Sequence, residues 1–325
     1  MTKKYYPEID ILKGIAIFLV VLGHAITVYP VNLHNVKATS LIFEWVESVH
    51  MPLFFLVSGF TFSYHEGYWK KKAKRILVPY LFFCFLDIAA RTLLPALVNR
   101  EKSLAENLYD VVFGGGGYWF LYVLLIFYLV FPVLSLLQKR FDPLKYPCFV
   151  LAFLIPFIPG IPEIFLLKLT AHYFPYFYLG WRIRENKELL AKYRPEGKGA
   201  LLPMGIALAL WTVFKLINGT AIYTPFYILG ALSGSAFFFF FVSADLTKPL
   251  EGPLKEWGVY SLQIYLLDSY LLVISRTIIC RFLGEPEALL IMLFNLVFDL
   301  GGAVLIIRHI ILRSKILRIL CGAAN

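Results

Sequence analysis

Apolar residues in this chain fall into long runs separated by short polar segments. The runs have the length, about 20 residues, that carries a helix across the hydrocarbon of a bilayer. Ten stretches stand out, near residues 9–30, 41–64, 76–98, 118–138, 146–160, 163–181, 200–217, 222–243, 256–280 and 287–307. The fifth is short and holds Pro156, Pro159 and Pro162, so it also reads as one half of a broken pair with the sixth. The pattern predicts an all-α, polytopic integral membrane protein of about ten transmembrane helices, forming a single domain over residues 1–325.

Composition sharpens this. Of 325 residues, 59% are hydrophobic and only 16% charged, well below the quarter that an aqueous globular domain carries. The net charge of +10 then points to membrane orientation rather than to nucleic acid. With the N-terminus placed in the cytosol, alternate segments collect 23 of the 31 basic residues, among them Lys3 and Lys4, the run from Lys70 to Arg75 and the stretch from Arg182 to Lys198. That asymmetry predicts an even number of spans with both termini cytosolic. The first span is interrupted by Asp10, Lys13 and His24, which argues against a cleaved secretory signal. Cys84, Cys148, Cys280 and Cys321 lie far apart, so neither a disulfide framework nor a zinc site is expected.

Ionisable residues inside spans are expensive in lipid and mark functional interiors by default. In the first span Lys13 and His24 are eleven residues apart, almost three helical turns, and so share a face about 16 Å apart along the axis. Asp10 lies on that side too, either pairing structurally with Lys13 or serving the same site. The second span holds Glu44, Glu47, His50 and Pro52, and places His50 at a depth similar to His24. Glu47, three residues before His50, is positioned to orient its ring, and Pro52 to open the helix beside it. Asp87 and Arg91 read as a structural ion pair. Lys168 and His172 share the same spacing, and Asp268, Arg276 and Asp299 are further candidates to line the interior. Gly114 to Gly117 reads as a flexible approach to the fourth span, without the Lys-Ser/Thr of a phosphate loop. Ser58-Gly59 lacks the first glycine of a nucleophile elbow.

Five motifs in order then resemble the membrane-bound acyltransferase-3 family. They are IDILKGIAIFLVVLGHA (Ile9 to Ala25), HMPLFFLVSGF (His50 to Phe60), KAKRILVPY (Lys72 to Tyr80), YWFL (Tyr118 to Leu121) and GVYSLQIYLL (Gly258 to Leu267). Lys13 and His24 meet the family's basic-x10-His spacing, and Lys72 and Arg75 its basic-x-x-basic motif. Where many relatives close the last motif with histidine, this chain has Asp268. Lysine at 13 and 72 keeps the charge of the commoner arginine but loses its bidentate fork.

The resemblance implies transfer of an acyl group, most often acetyl, from cytosolic acyl-CoA to a carbohydrate hydroxyl, with no metal. Lys13, Asp10, Lys72 and Arg75 would then serve the CoA donor. His24 would act as general base, with direct formation of an acyl-imidazole as the other possibility. His50, Glu47 and Asp268 would complete the catalytic group, and Tyr118, Trp119 and Tyr265 would line the substrate pocket. The bilayer, acyl-CoA and a carbohydrate acceptor are the expected partners, and a bacterial inner membrane the expected location. The rival reading is a transporter or flippase of a lipid-linked oligosaccharide, in which the same charges line a path and nothing is acylated.

Overall fold

A computed structural model describes residues 6–27, 33–93, 103–188, 192, 194–219, 221, 223–284 and 287–323. Lys3 and Lys4 lie outside the described residues. Among those residues every regular element is helical. In chain order the helices are α1 (Pro7–Thr27), α2 (Lys37–Glu47), α3 (His50–Thr61), α4 (Tyr68–Lys72), α5 (Val78–Leu93), α6 (Leu104–Phe113), α7 (Trp119–Arg140) and α8 (Lys145–Leu154). They continue as α9 (Leu167–Glu185), α10 (Leu201–Asn218), α11 (Pro225–Ser243), α12 (Glu251–Val259), α13 (Ser261–Leu283), α14 (Ala288–Ile306) and α15 (Lys315–Leu320). A π-helical turn, Ala73–Leu77, joins α4 to α5, and a second, Ile307–Ile311, extends α14.

Eight segments of described residues are long and apolar enough to cross a membrane: α1, α2 with α3, α4 with α5, α7, α10, α11, α13 and α14. They coincide with eight of the ten stretches read from the sequence. The stretch at 146–160 forms the ten-residue α8 and a short turn around Pro156. The stretch at 163–181 enters α9, which has 19 residues but carries Lys168, His172, Arg182 and Arg184 among its apolar positions. The protein is a helical integral membrane protein.

The chain folds as two compact units, residues 1–60 with 180–310, and residues 61–179 with 311–325. In the first unit α1 is the central element, buried along most of its length and packed against α2, α11, α12, α13 and α14. Its N-terminal half meets α12 backbone to backbone. A Cβ on Gly14 would stand 1.9 Å from the Leu254 carbonyl oxygen, and one on Gly258 would stand 1.8 Å from that of Asp10. Only glycine permits so close a crossing, in which packing rather than solvent exclusion holds helices together. Phe18 stacks on Trp257 beside this crossing, their ring centroids 6.0 Å apart. The other end of α1 is sealed by a core of Ala25, Ile26, Leu33, Leu272, Ile279, Ile291 and Met292.

The second unit is built on aromatic packing. Phe131 lies with its ring centroid 4.4 Å from Phe177 and 5.8 Å from Phe62, and the Tyr68 hydroxyl donates to the Tyr128 carbonyl at 3.0 Å. Gly115, Gly116 and Gly117 all have positive φ and form a tight turn before α7. Gly116 N–H donates to the Asp110 carbonyl at 3.0 Å. The glycine run is therefore a packed turn whose backbone needs glycine, not a flexible approach.

Candidate active site

Burying α1 on nearly all sides leaves its polar residues to find partners within the protein. In the C-terminal half of the helix, His24 Nδ1 is hydrogen-bonded to Asp268 Oδ2 of α13, 244 residues away in sequence. The Asp268 side chain is 1% exposed and the His24 imidazole 37%. A carboxylate accepts only, so the bond requires N–H at Nδ1, which leaves the Nε2 lone pair on the open side of the ring. A buried carboxylate that fixes the tautomer and orientation of a half-open imidazole is the arrangement of a general base.

Two buried groups fix the helices that carry this pair. Arg276, fully buried on α13, donates to the carbonyl of Ala25, the residue after His24. It thereby satisfies one of the carbonyls that α1 leaves without an intrahelical partner at its end. Ser275 Oγ donates to Asn295 Oδ1 of α14 at 2.8 Å. Asp299, one turn beyond Asn295 on α14, is 0% exposed, and its carboxyl lies against that of Asp268. Of these, Arg276 and Asp299 are legible in the sequence as charges inside spans. Ser275 and Asn295 carry no such signal.

His50 begins α3, directly after the helix breaks at Ser48 and Val49. Pro52 is the third residue of α3, where its missing N–H leaves no intrahelical bond unmade. The His50 ring bonds through Nδ1 to the Val46 carbonyl at 2.8 Å, not to the Glu47 carboxylate, and it interacts electrostatically with His24. The structure thus brings His24, His50 and Asp268 into one neighbourhood. Glu47 instead lines a small open cleft with Glu44, Ser48, Trp211, Lys215 and Tyr227. There Lys215 pairs with Glu44 at 3.3 Å, and Trp211 Nε1 donates to Ser48 Oγ at 2.9 Å. Lys215 and Trp211 went unnoticed in the sequence, although a lysine near the end of an apolar run was the available signal.

Lys13 pairs with Asp10 at 3.3 Å, so the structural pairing foreseen for this turn of α1 is present. Tyr265, one turn before Asp268 on α13, is buried. In the second unit Lys72 lies at the junction of α4 with the π-helical turn, its Nζ 3.4 Å from the centre of the Tyr128 ring. Arg75 lies in that turn and is exposed. Tyr118 precedes α7 and is buried against Phe83, while Trp119 stacks on Tyr173 with ring centroids 5.5 Å apart. The Asp87–Arg91 ion pair forms at 2.8 Å, as its spacing indicates.

Fold and site together define a polytopic membrane protein with a half-exposed histidine held by a buried aspartate between its spans. The chain belongs to the acyltransferase-3 family, whose profile, described as an acyltransferase domain, matches residues 6–308. It is similar to the nodulation protein NolL of Mesorhizobium japonicum, at 30% identity over 138 residues, covering 40% of this chain and 36% of the relative. It is also similar to the nodulation protein NolL of Sinorhizobium fredii, at 28% identity over 211 residues, 59% of this chain and 52% of the relative. The chain thus spans about a third to a half of the length of these curated relatives. No solved structure matches it.

Proposed function

We propose that the protein is a membrane O-acyltransferase, acting as one domain over residues 1–325 in a bacterial inner membrane. It moves an acyl group, acetyl by preference, from cytosolic acyl-CoA to a hydroxyl of an extracytoplasmic or lipid-linked carbohydrate. Family membership supports the reaction class, and the hydrogen bond from His24 to Asp268 is the observation that carries the mechanism. His24 Nε2 takes the acceptor hydroxyl's proton as that oxygen attacks the thioester carbonyl. When the tetrahedral adduct collapses, the CoA thiolate leaves and recovers the proton from the imidazolium. Asp268 holds the tautomer and stabilises the imidazolium throughout. With Nδ1 engaged, one nitrogen with one lone pair faces the reactants, which suits a base that must return to its starting state each cycle.

Acyl or acceptor binding is proposed for His50 and Tyr265, with Glu47 serving acceptor recognition beside His50, and a substrate-binding role for Tyr118 and Trp119 on the strength of their own motif. A donor-binding role is proposed for Lys13, steadied by Asp10, and, from a separate motif, for Lys72 and Arg75. The span of α1 between Lys13 and His24, about 16 Å, is of the order a pantetheine arm must cover. These donor and substrate roles rest on the sequence motifs.

The test is acyl transfer from radiolabelled acetyl-CoA in membranes with and without the protein, with longer acyl-CoAs as alternative donors. Label is expected to enter a glycan or glycolipid fraction in a protein-dependent way and to be released by mild alkali, as an ester is. Flux of a lipid-linked oligosaccharide with no acylation from any donor would overturn the assignment in favour of a transporter.

A further inference from the structure

The Asp268 carboxyl accepts from His24 of α1 on one side and lies against the Asp299 carboxyl of α14 on the other. Both aspartates are 0% exposed. No hydrogen-bond donor among the described residues partners Asp268 Oδ1 or either oxygen of Asp299. None of the other charged or polar groups nearby donates to these oxygens, and the Nδ2 of Asn295 makes no hydrogen bond among the described residues. On α13, Arg276 lies two turns from Asp268, about 12 Å along the axis, and bonds the Ala25 carbonyl. On α14, Asn295 turns its oxygen to Ser275. On α2, Glu44 pairs with Lys215, and Glu47 shares their cleft.

Two ionised carboxylates are acceptors only and cannot hydrogen-bond to each other. Buried side by side, with His24 bonded to one of them and His50 nearby, they cannot both stay charged without a large penalty. One proton between them removes the repulsion and supplies the missing donor. We infer that Asp299 is a positioning residue for His24: it and Asp268 share one proton, so a carboxylic acid braces Asp268 from behind while its other oxygen holds the histidine.

The consequence lies in the reaction cycle, and in this part the inference rests on the proposed role of His24. As the imidazole takes up a proton, Asp268 must remain a carboxylate to stabilise the cation. A carboxylate buried without a donor is a stronger base and draws that proton to itself. The hydrogen bond from Asp299 stabilises its charge and keeps the proton on the ring. Asparagine at 299 has the same shape and an N–H donor, so it replaces the neutral acid, whereas leucine supplies no donor.

Infrared difference spectra of the purified protein at neutral pH, wild type minus Asp299→Asn, test the shared proton without any acyl transfer. A protonated-carboxyl C=O band is expected, lost in the variant and shifted in protein labelled with 13C at the aspartate carboxyl. Spectra without that band in the difference would overturn the shared proton, whatever the enzyme's activity. In the transfer assay Asp299→Asn is expected to stay within about threefold of wild type, and Asp299→Leu to lose about tenfold or more in kcat with little change in KM. Asparagine as damaging as leucine, or leucine as active as wild type, would overturn the positioning role. Should Asp299→Leu fail to fold, Asp299→Asn and the infrared band decide.

Discussion

At matched expression, membranes carrying His24→Ala transfer acyl groups at least about a hundredfold more slowly than wild type, since a positioned general base contributes about 10²–10⁴-fold. Asp268→Ala falls in the same range, because the imidazole loses both its fixed tautomer and the carboxylate that stabilises its charged form. The double variant is no slower than His24→Ala alone, since groups that act as a unit show non-additive losses. The assay is initial-rate label transfer, with insertion and folding checked by detergent-solubilised monodispersity. His24→Ala at full activity would remove the histidine from the mechanism. A double variant slowed by the product of the single effects would mean that the two side chains contribute separately. Glu47→Gln lies outside the unit, because its carboxylate lines the cleft of Lys215 and Trp211 rather than holding either histidine. Its effect falls on the acceptor's KM.

His24 and Lys13 were legible because one helix carries both, and three turns of an apolar segment fix their faces without tertiary knowledge. Asp268 was legible only as a charge in a span and as a departure from a motif. Its partner stands 244 residues earlier, and helical periodicity says nothing about which faces of distant helices meet. Glu47 shows the opposite failure. The spacing from Glu47 to His50 suggests a ring held by its own helix, but the helix breaks at Ser48 and Val49, just between them. Periodicity cannot be carried across such a break, and the Val46 carbonyl takes the ring instead. The long spans were readable from hydropathy, whereas the division of 251–283 into α12 and α13 was not. The apolar run continues from Trp257 and Val259 into α13, whereas α12 carries Glu251, Lys255 and Glu256 and packs on α1.

That packing carries the last large effect. Gly258→Ala and Gly14→Ala each lower the thermal unfolding midpoint in detergent sharply and reduce acyl transfer with it. At Gly258 the added Cβ meets the Asp10 carbonyl oxygen at 1.8 Å and the Gly14 nitrogen at 3.0 Å. At Gly14 it meets the Leu254 carbonyl oxygen at 1.9 Å and its carbon at 2.7 Å. These neighbours are all backbone, so no side chain can swing aside and the helices must separate. Overpacking in a core costs about 1–3 kcal/mol, and contacts with backbone on both sides belong at or above the upper end. Gly301→Ala in α14 is the internal control, because a Cβ there meets nothing within 4 Å. In a helix interior alanine is favoured over glycine by about 0.5–1 kcal/mol, so this variant holds or raises the midpoint. Moving α1 from α12 also displaces the helix that carries Asp10, Lys13 and His24, which is why activity follows stability at Gly14 and Gly258 but not at Gly301. An unchanged midpoint for Gly258→Ala would mean that α1 and α12 do not cross through their glycines, and the placement of His24 against Asp268 would lose its structural support.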